Sequence, residues 1–227
     1  MQFKEVCQRL ISQNLIEQTA QEQGIEVEAV EIQAEGDAQR RQRRLENAKD
    51  TYSWLVDQMV TPDQWEAGIR DRLLAKKLAQ HLFEHQVEAY FVEHRLEFEQ
   101  VSLYRLVVPY ELLAQELFYR IEEGEISFYE AAHLYDVDGE RRSHCGYEGR
   151  PHRWALSPQI AAIIFSARVG EVIGPIQSEQ GYDLLRVEEF IAAELTDDIR
   201  QIILNRLFQS WLESELPHFL AQHAPVS

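Results

Sequence analysis

The stretch "EVIGPIQSEQGYDLLRVEEF", residues 171–190, decides the fold of this chain. Val172, Ile173 and Ile176 run up to a polar turn, and Leu184, Leu185 and Val187 follow it, with Gly181 at the junction. Short apolar runs on either side of a glycine-containing turn read as two strands. Asp183 is the discordant residue, an acid among the apolar positions of the second strand.

Upstream, "PQIAAIIFSA" from Pro158 is apolar almost all round and reads as a buried helix. The polar "DVDGERRSHCGYEGRPH", residues 136–152, reads as a loop. Phe128 to Tyr135 suggests a short helix. Tyr110 to Ile121 suggests another, with Leu113, Leu117 and Ile121 on one face and Gly124 as its stop. In "VSLYRLVV", residues 101–108, β-branched and apolar residues run together for the length of one strand.

The flanks read as helices. Phe3, Val6, Leu10, Leu15 and Ile16 recur near helical spacing until Gly24, and a polar helical stretch covers about 26–47. "TYSWLVDQM" then brings Trp54, Leu55 and Met59 to one face. Thr61 and Pro62 mark a helix start, because a threonine hydroxyl caps and proline suits the first helical position. Trp65, Ile69, Leu73, Leu74, Leu78 and Leu82 form a stripe, and a shorter helix follows from Val87. Thr196 opens the last helix, with Asp197 and Asp198 favourable at its positive end. Its Ile199, Ile202, Ile203, Leu207, Trp211 and Leu212 need a partner, and the N-terminal helices offer one.

With 39 acidic against 22 basic side chains the formal charge is -17, which repels nucleic acid and anionic lipid. Neutral or basic polypeptides are the expected partners, and no nucleic-acid binding is expected. The basic run Arg40 to Arg44, "RRQRR", reads either as a solvated helix face or as a small docking patch. No segment reaches the roughly 18 to 20 uncharged residues of a membrane span. The N-terminus lacks the apolar core of a secretory signal, so a cytoplasmic location is the expectation. Cys7 and Cys145 are too few for a disulfide framework. His144, Cys145 and His152 are a weak set of metal ligands in an irregular loop, and no metal site is expected.

The order strand, helix, helix, loop, helix, strand, strand over residues 101–190 resembles the parvulin family of peptidyl-prolyl cis-trans isomerases. "GEISFYEAAHLYDVDGERRSHCGYEG", "LSPQIAAIIFSARVGEVIGPI" and "GYDLLRV" carry the resemblance. They look like the family's G-x-x-F-x-x-L-A-x-x-Y-S-x-D…G-G-x-L-G, M-x-x-x-F-x-x-A-x-F-x-L-x-x-G-x-x-S-x-P-V and G-Y-H-I-I-x-V. The helix ending in "VEAYFVEHRLEFEQ" resembles the junction in SurA-like and PrsA-like chaperones. An α+β chain follows from this likeness. A SurA-like helical domain would occupy 1–100, a parvulin-like domain with a small antiparallel sheet 101–190, and a helix returning to the helical domain 191–227.

The resemblance also implies a site. Leu156 stands at the family's methionine, Ile160 at its phenylalanine and Phe165 at the later buried aromatic, which would make these three the proline-binding residues. Arg105 and Asp183 replace the family's two histidines. Ser178 keeps a hydroxyl where threonine is usual, and Asp138 matches the loop acid found where other parvulins have cysteine. These four are the implied catalytic positions. Glu148 replaces a leucine of the glycine-rich turn, putting a charge near the pocket rim.

A guanidinium and a carboxylate on adjacent strands can form a charge-assisted pair, so Arg105 and Asp183 are expected either to meet or to point outward as surface charges. "VVPYELLAQEL" has no Lys or Arg, which argues against reading of phosphorylated residues. Rotation about an X-Pro bond needs no cofactor, only a pocket that favours the twisted amide. The resemblance therefore implies an isomerase and chaperone for unfolded or extended polypeptides with X-Pro bonds, of reduced activity because both histidines are gone. A noncatalytic holdase, a peptide-maturation helper or a scaffold is the alternative.

Overall fold

The structure, a computed structural model, describes the backbone of residues 2–223 and the side chains of residues 9–221. The side chains of Phe3, Val6 and Cys7 lie outside the described residues. The chain divides into two units, Met1–Tyr90 with Arg200–Ser227, and Phe91–Ile199. Among the described residues no helix is long and apolar enough to cross a membrane.

The second unit is built on a four-stranded antiparallel sheet. Its strands are β1 (Gln100–Val108), β2 (Tyr147–Gly149), β3 (Val172–Ser178) and β4 (Gly181–Ile191), in the order β2-β1-β4-β3. Side chains on a strand alternate between faces. Leu106 and Val108 of β1 and Leu184 of β4 therefore pack with Ala114, Leu117 and Ile121 of α6 (Glu111–Glu122) and with Phe128 and Ala131 of α7 (Phe128–Tyr135). Val101, Leu103, Leu185 and Val187 form a second cluster on the opposite face with Ile164 of α9 (Pro158–Ser166).

Local chemistry sets the helix starts in this unit. Ser127 Oγ accepts from the Glu130 amide at 3.2 Å, and Ser157 Oγ accepts from the Ile160 amide at 3.4 Å with Pro158 in the first turn. The stretch 136–152, expected as a loop, instead contains α8 (Gly139–Ser143) and the edge strand β2. β2 has only three residues and buries none of them fully, so no apolar alternation announced it.

The first unit is helical. It comprises α1 (Gln2–Glu22), α2 (Ala29–Gln42), α3 (Ala48–Asp57), α4 (Pro62–Phe83), the start of α5 (Val87–Glu93) and most of α10 (Asp197–His223). Thr61 and Gln64 form a reciprocal capping box at the start of α4. Leu15, Ile16 and Ala20 of α1, Leu74, Leu78 and Ala79 of α4, and Phe208 and Leu212 of α10 make one apolar cluster. The basic run is tied into this unit, with Arg40 bonded to Asp37 and the Arg43 guanidinium 4.9 Å from the centre of the Trp54 ring.

Two substitutions test these arrangements. Gly181 has φ +138°, and a Cβ there would lie 2.3 Å from the Val108 carbonyl oxygen. Gly181→Ala is expected to cost roughly 1 to 3 kcal/mol in backbone strain alone, read as a lowered denaturant midpoint. An unchanged midpoint would show that the β1–β4 contact is not the close approach described. Phe208→Ala is expected to cost about 3 to 5 kcal/mol in the unfolding of the helical unit, the scale for emptying a buried aromatic site. A loss below about 1 kcal/mol would remove α10 from that core.

Candidate active site

The sheet face covered by α9 carries residues of one parity, Val101 and Leu103 on β1 and Leu185 and Val187 on β4. The same alternation puts Arg105 and Asp183 there. Arg105 pairs in register with Leu185, and Asp183 lies two residues along β4 on the same face. The two charged residues are thus diagonal neighbours, close enough for long side chains to meet.

They do meet. Arg105 Nη2 donates to both carboxylate oxygens of Asp183, at 3.1 Å to Oδ1 and 2.9 Å to Oδ2. Ser178 Oγ, on β3, donates to Asp183 Oδ1 at 3.1 Å. Asp183 is only 6% exposed, so these partners are what make its charge tolerable there.

A cavity of about 520 Å³ opens beside this pair. Leu103, Leu156, Ile160, Ile176 and Leu185 form its apolar side, and Arg105, Ser178 and Asp183 its polar side. Glu148 and Glu179 complete the lining as acids. Five of the seven residues singled out in the sequence, Arg105, Ser178, Asp183, Leu156 and Ile160, are therefore together in one place.

Asp138 and Phe165 are not among the residues that line this cavity. Asp138 is exposed and caps α8, its Oδ1 accepting from the Arg141 amide at 2.8 Å. That bond holds its carboxyl below the usual carboxylate range. Phe165 is half-buried against the same apolar cluster, its ring lying against Phe190 at 5.5 Å between centres and beneath the Arg153 guanidinium at 4.5 Å.

The interior acid of this loop is Asp136, two residues before Asp138. It accepts from Val107 N at 3.1 Å and Asp138 N at 2.8 Å, and binds Arg141 in a two-point contact at 2.7 and 2.9 Å. The bond to Asp136 raises the Arg141 pKa above its ordinary value. Arg141 Nη1 also donates to Glu148 Oε1 at 2.9 Å, and Arg105 Nη1 lies 3.7 Å from the same oxygen. A chain of alternating charges thus runs from Asp183 through Arg105, Glu148 and Arg141 to Asp136. "YDVDGERR" held the signal for its far end, three acids and an arginine within six residues, but which acid turns inward depends on the β1 amide it meets.

The other loop residues are engaged elsewhere. His152 donates from Nδ1 to the Phe98 carbonyl at 3.0 Å and stacks on Trp154, while His144 Nδ1 lies 2.9 Å from the Glu140 carbonyl. Among the described residues no three His, Cys, Asp or Glu side chains converge as a metal site.

Residues 109–189 match the family model of the PPIC-type PPIASE domain, Rotamase. The match begins just after β1, so it includes Asp183 and the α9 residues but not Arg105. The chain is similar to the foldase protein PrsA of Caldanaerobacter subterraneus subsp. tengcongensis, 25% identical over 150 residues, 63% of this chain and 47% of that protein. It is 28% identical over 120 residues to the foldase protein PrsA of Halalkalibacterium halodurans, 52% of this chain and 36% of that one. The chain thus matches less than half the length of these curated relatives.

Among solved structures, peptidylprolyl isomerase PrsA from Bacillus anthracis superposes with a TM-score of 0.52 at 17% identity, covering 96% of both chains. Foldase protein PrsA from Streptococcus pneumoniae gives 0.54 at 14% identity, covering 100% of this chain and 85% of that one. At these identities the likeness is one of fold. The sheet and the family match agree: residues 109–189 match a PPIC-type parvulin domain, and the chain shares its fold with the PrsA structures.

Proposed function

We propose that this protein is a foldase that binds extended polypeptide segments and isomerises their X-Pro bonds, with modest turnover. The observation that carries the reading is the cavity, whose apolar side suits a proline ring and whose polar side presents a fixed guanidinium. The family match over residues 109–189, which takes in Leu156, Ile160, Ser178 and Asp183 of the lining, supports it.

Amide resonance sets the barrier of about 18 to 20 kcal/mol to rotation about the peptide bond. The planar amide is more polar than the twisted one, so holding it against Leu103, Leu156, Ile160 and Leu185 and away from water disfavours the planar state relative to the twisted state. Twisting also localises a lone pair on the prolyl nitrogen. A donor aimed at that lone pair acts on the transition state and not on the ground state.

Arg105 is the candidate donor. Asp183 engages Nη2, while Nη1 and Nε are not committed to it. Asp183 then acts through Arg105 as a positioning residue, and Ser178 steadies the carboxylate from β3. No proton needs to be taken from substrate, so loss of the family's two histidines does not by itself abolish the chemistry.

NMR exchange or a protease-coupled assay on X-Pro peptides tests the reading. Acceleration of cis-trans exchange is expected, and Arg105→Met is expected to lower turnover by about tenfold or more with a smaller change in affinity. Leu156→Ala and Ile160→Ala are each expected to weaken peptide binding by roughly 1 to 3 kcal/mol, the scale of a lost apolar contact. Peptide binding with no acceleration of exchange would identify a holdase instead. Activity indifferent to all three substitutions would move the function out of this cavity.

A further inference from the structure

The acids around the cavity outnumber its cations, and they differ in how far they are neutralised. Of the charged lining residues Arg105 is the only base, against Glu148, Glu179 and Asp183. Arg105 is committed to Asp183 through both carboxylate oxygens. Glu148 is held by Arg141 at 2.9 Å, with Arg105 at 3.7 Å as a second neighbour, and Arg141 is itself shared with Asp136. Counting all six groups, Arg105 and Arg141 against Asp136, Glu148, Glu179 and Asp183, leaves two negative charges unmatched.

Glu179 stands apart from this network. It sits in the turn between β3 and β4, is exposed, lines the cavity, and makes no ion pair among the described residues. A carboxylate in that position costs nothing to keep in water, yet it adds an uncompensated negative charge to the cavity lining. The field of the whole molecule, at -17, has the same sign.

We infer that Glu179 sets a client preference, selecting polypeptide segments with a lysine or arginine immediately flanking the proline and disfavouring acidic flanks. The inference rests on the cavity being the proline site. The apolar side of the cavity holds the ring in either case. The charge of the neighbouring residue decides whether it meets Glu179 as an attraction or as a repulsion. Each is a solvent-exposed interaction of modest size, so the lysine and glutamate extremes together should differ by about fivefold in affinity.

Three peptides differing only in their flanks, Ala-Lys-Pro-Lys, Ala-Ala-Pro-Ala and Ala-Glu-Pro-Glu extended equally at both ends, make the comparison, with dissociation constants read by fluorescence anisotropy on the full chain. The expected order is lysine tightest and glutamate weakest, with the ratio shrinking at high salt. Glu179→Gln should bring the lysine-to-glutamate ratio towards one, and Glu179→Lys should invert it. Equal binding of the three peptides, a preference for the acidic flanks, or a ratio unmoved in both variants would overturn the assignment. Failure of every peptide to bind would overturn the proline-site reading beneath it, a result distinguishable from loss of preference alone.

Discussion

The ion pair between Arg105 and Asp183 sets a polar side into the cavity on the otherwise apolar α9 face of the sheet. Every other central position on that face is apolar, and Leu103, Leu185, Ile164 and their neighbours already form a continuous cluster. Two apolar side chains at 105 and 183 would extend this cluster, giving α9 and the β3–β4 hairpin more surface to close on. A guanidinium and a carboxylate resist this because neither surrenders its hydration without a partner. They satisfy each other, yet Arg105 stays a quarter exposed along its side chain while Asp183 is nearly enclosed. The result is a polar side whose two charges are paired within the cavity.

The pairing continues further away. Arg105 is braced by Glu148, Glu148 by Arg141, and Arg141 by Asp136, whose carboxylate accepts the β1 amide of Val107. The segment between α7 and α9 has few apolar residues to bury, so packing alone would leave it loose. The buried Asp136 takes the place of a core for this segment. It gathers two backbone amides and one guanidinium, the kind of saturation a buried carboxylate requires. A short edge strand, β2, then completes the sheet where the segment returns past β1.

These dependencies explain which parts of the molecule were legible in its sequence. The β3–β4 hairpin, α9, α6 and the capped α4 follow from periodicity, turn glycines and cap residues, all of which act locally. The diagonal meeting of Arg105 with Asp183 was accessible too, because strand alternation places both on one face once β1 and β4 are neighbours. Asp138 and Phe165 mark where local reasoning stops. Motif position put Asp138 in the site, but an acid at the start of a helix finds a nearer use on the Arg141 amide. Phe165 has Phe190 of β4 and Arg153 as ready partners on its own side of α9. Choosing between Asp136 and Asp138, or finding β2 in three residues none of which is buried, takes knowledge of which backbone amides the fold brings alongside.

The β1–β4 ladder also bears on how a chain with this order of units can assemble. The helical unit is discontinuous, since Met1–Tyr90 and Arg200–Ser227 are separated in sequence by the whole sheet unit. The residues facing each other at one end of the ladder are Gln100 and Ile191, near the two ends of the inserted segment. Pairing them replaces an open span of about a hundred residues by two short tethers. With loop-closure entropy growing as the logarithm of length, this lowers the cost of bringing α10 to its partners by about 1 to 2 kcal/mol. The saving is comparable to that of a single good packing contact. The strand pairing that brings Arg105 to Asp183 therefore also shortens the search by which Phe208 and Leu212 reach Leu15 and Leu78. One ladder of backbone hydrogen bonds serves both the site and the closure of the helical unit.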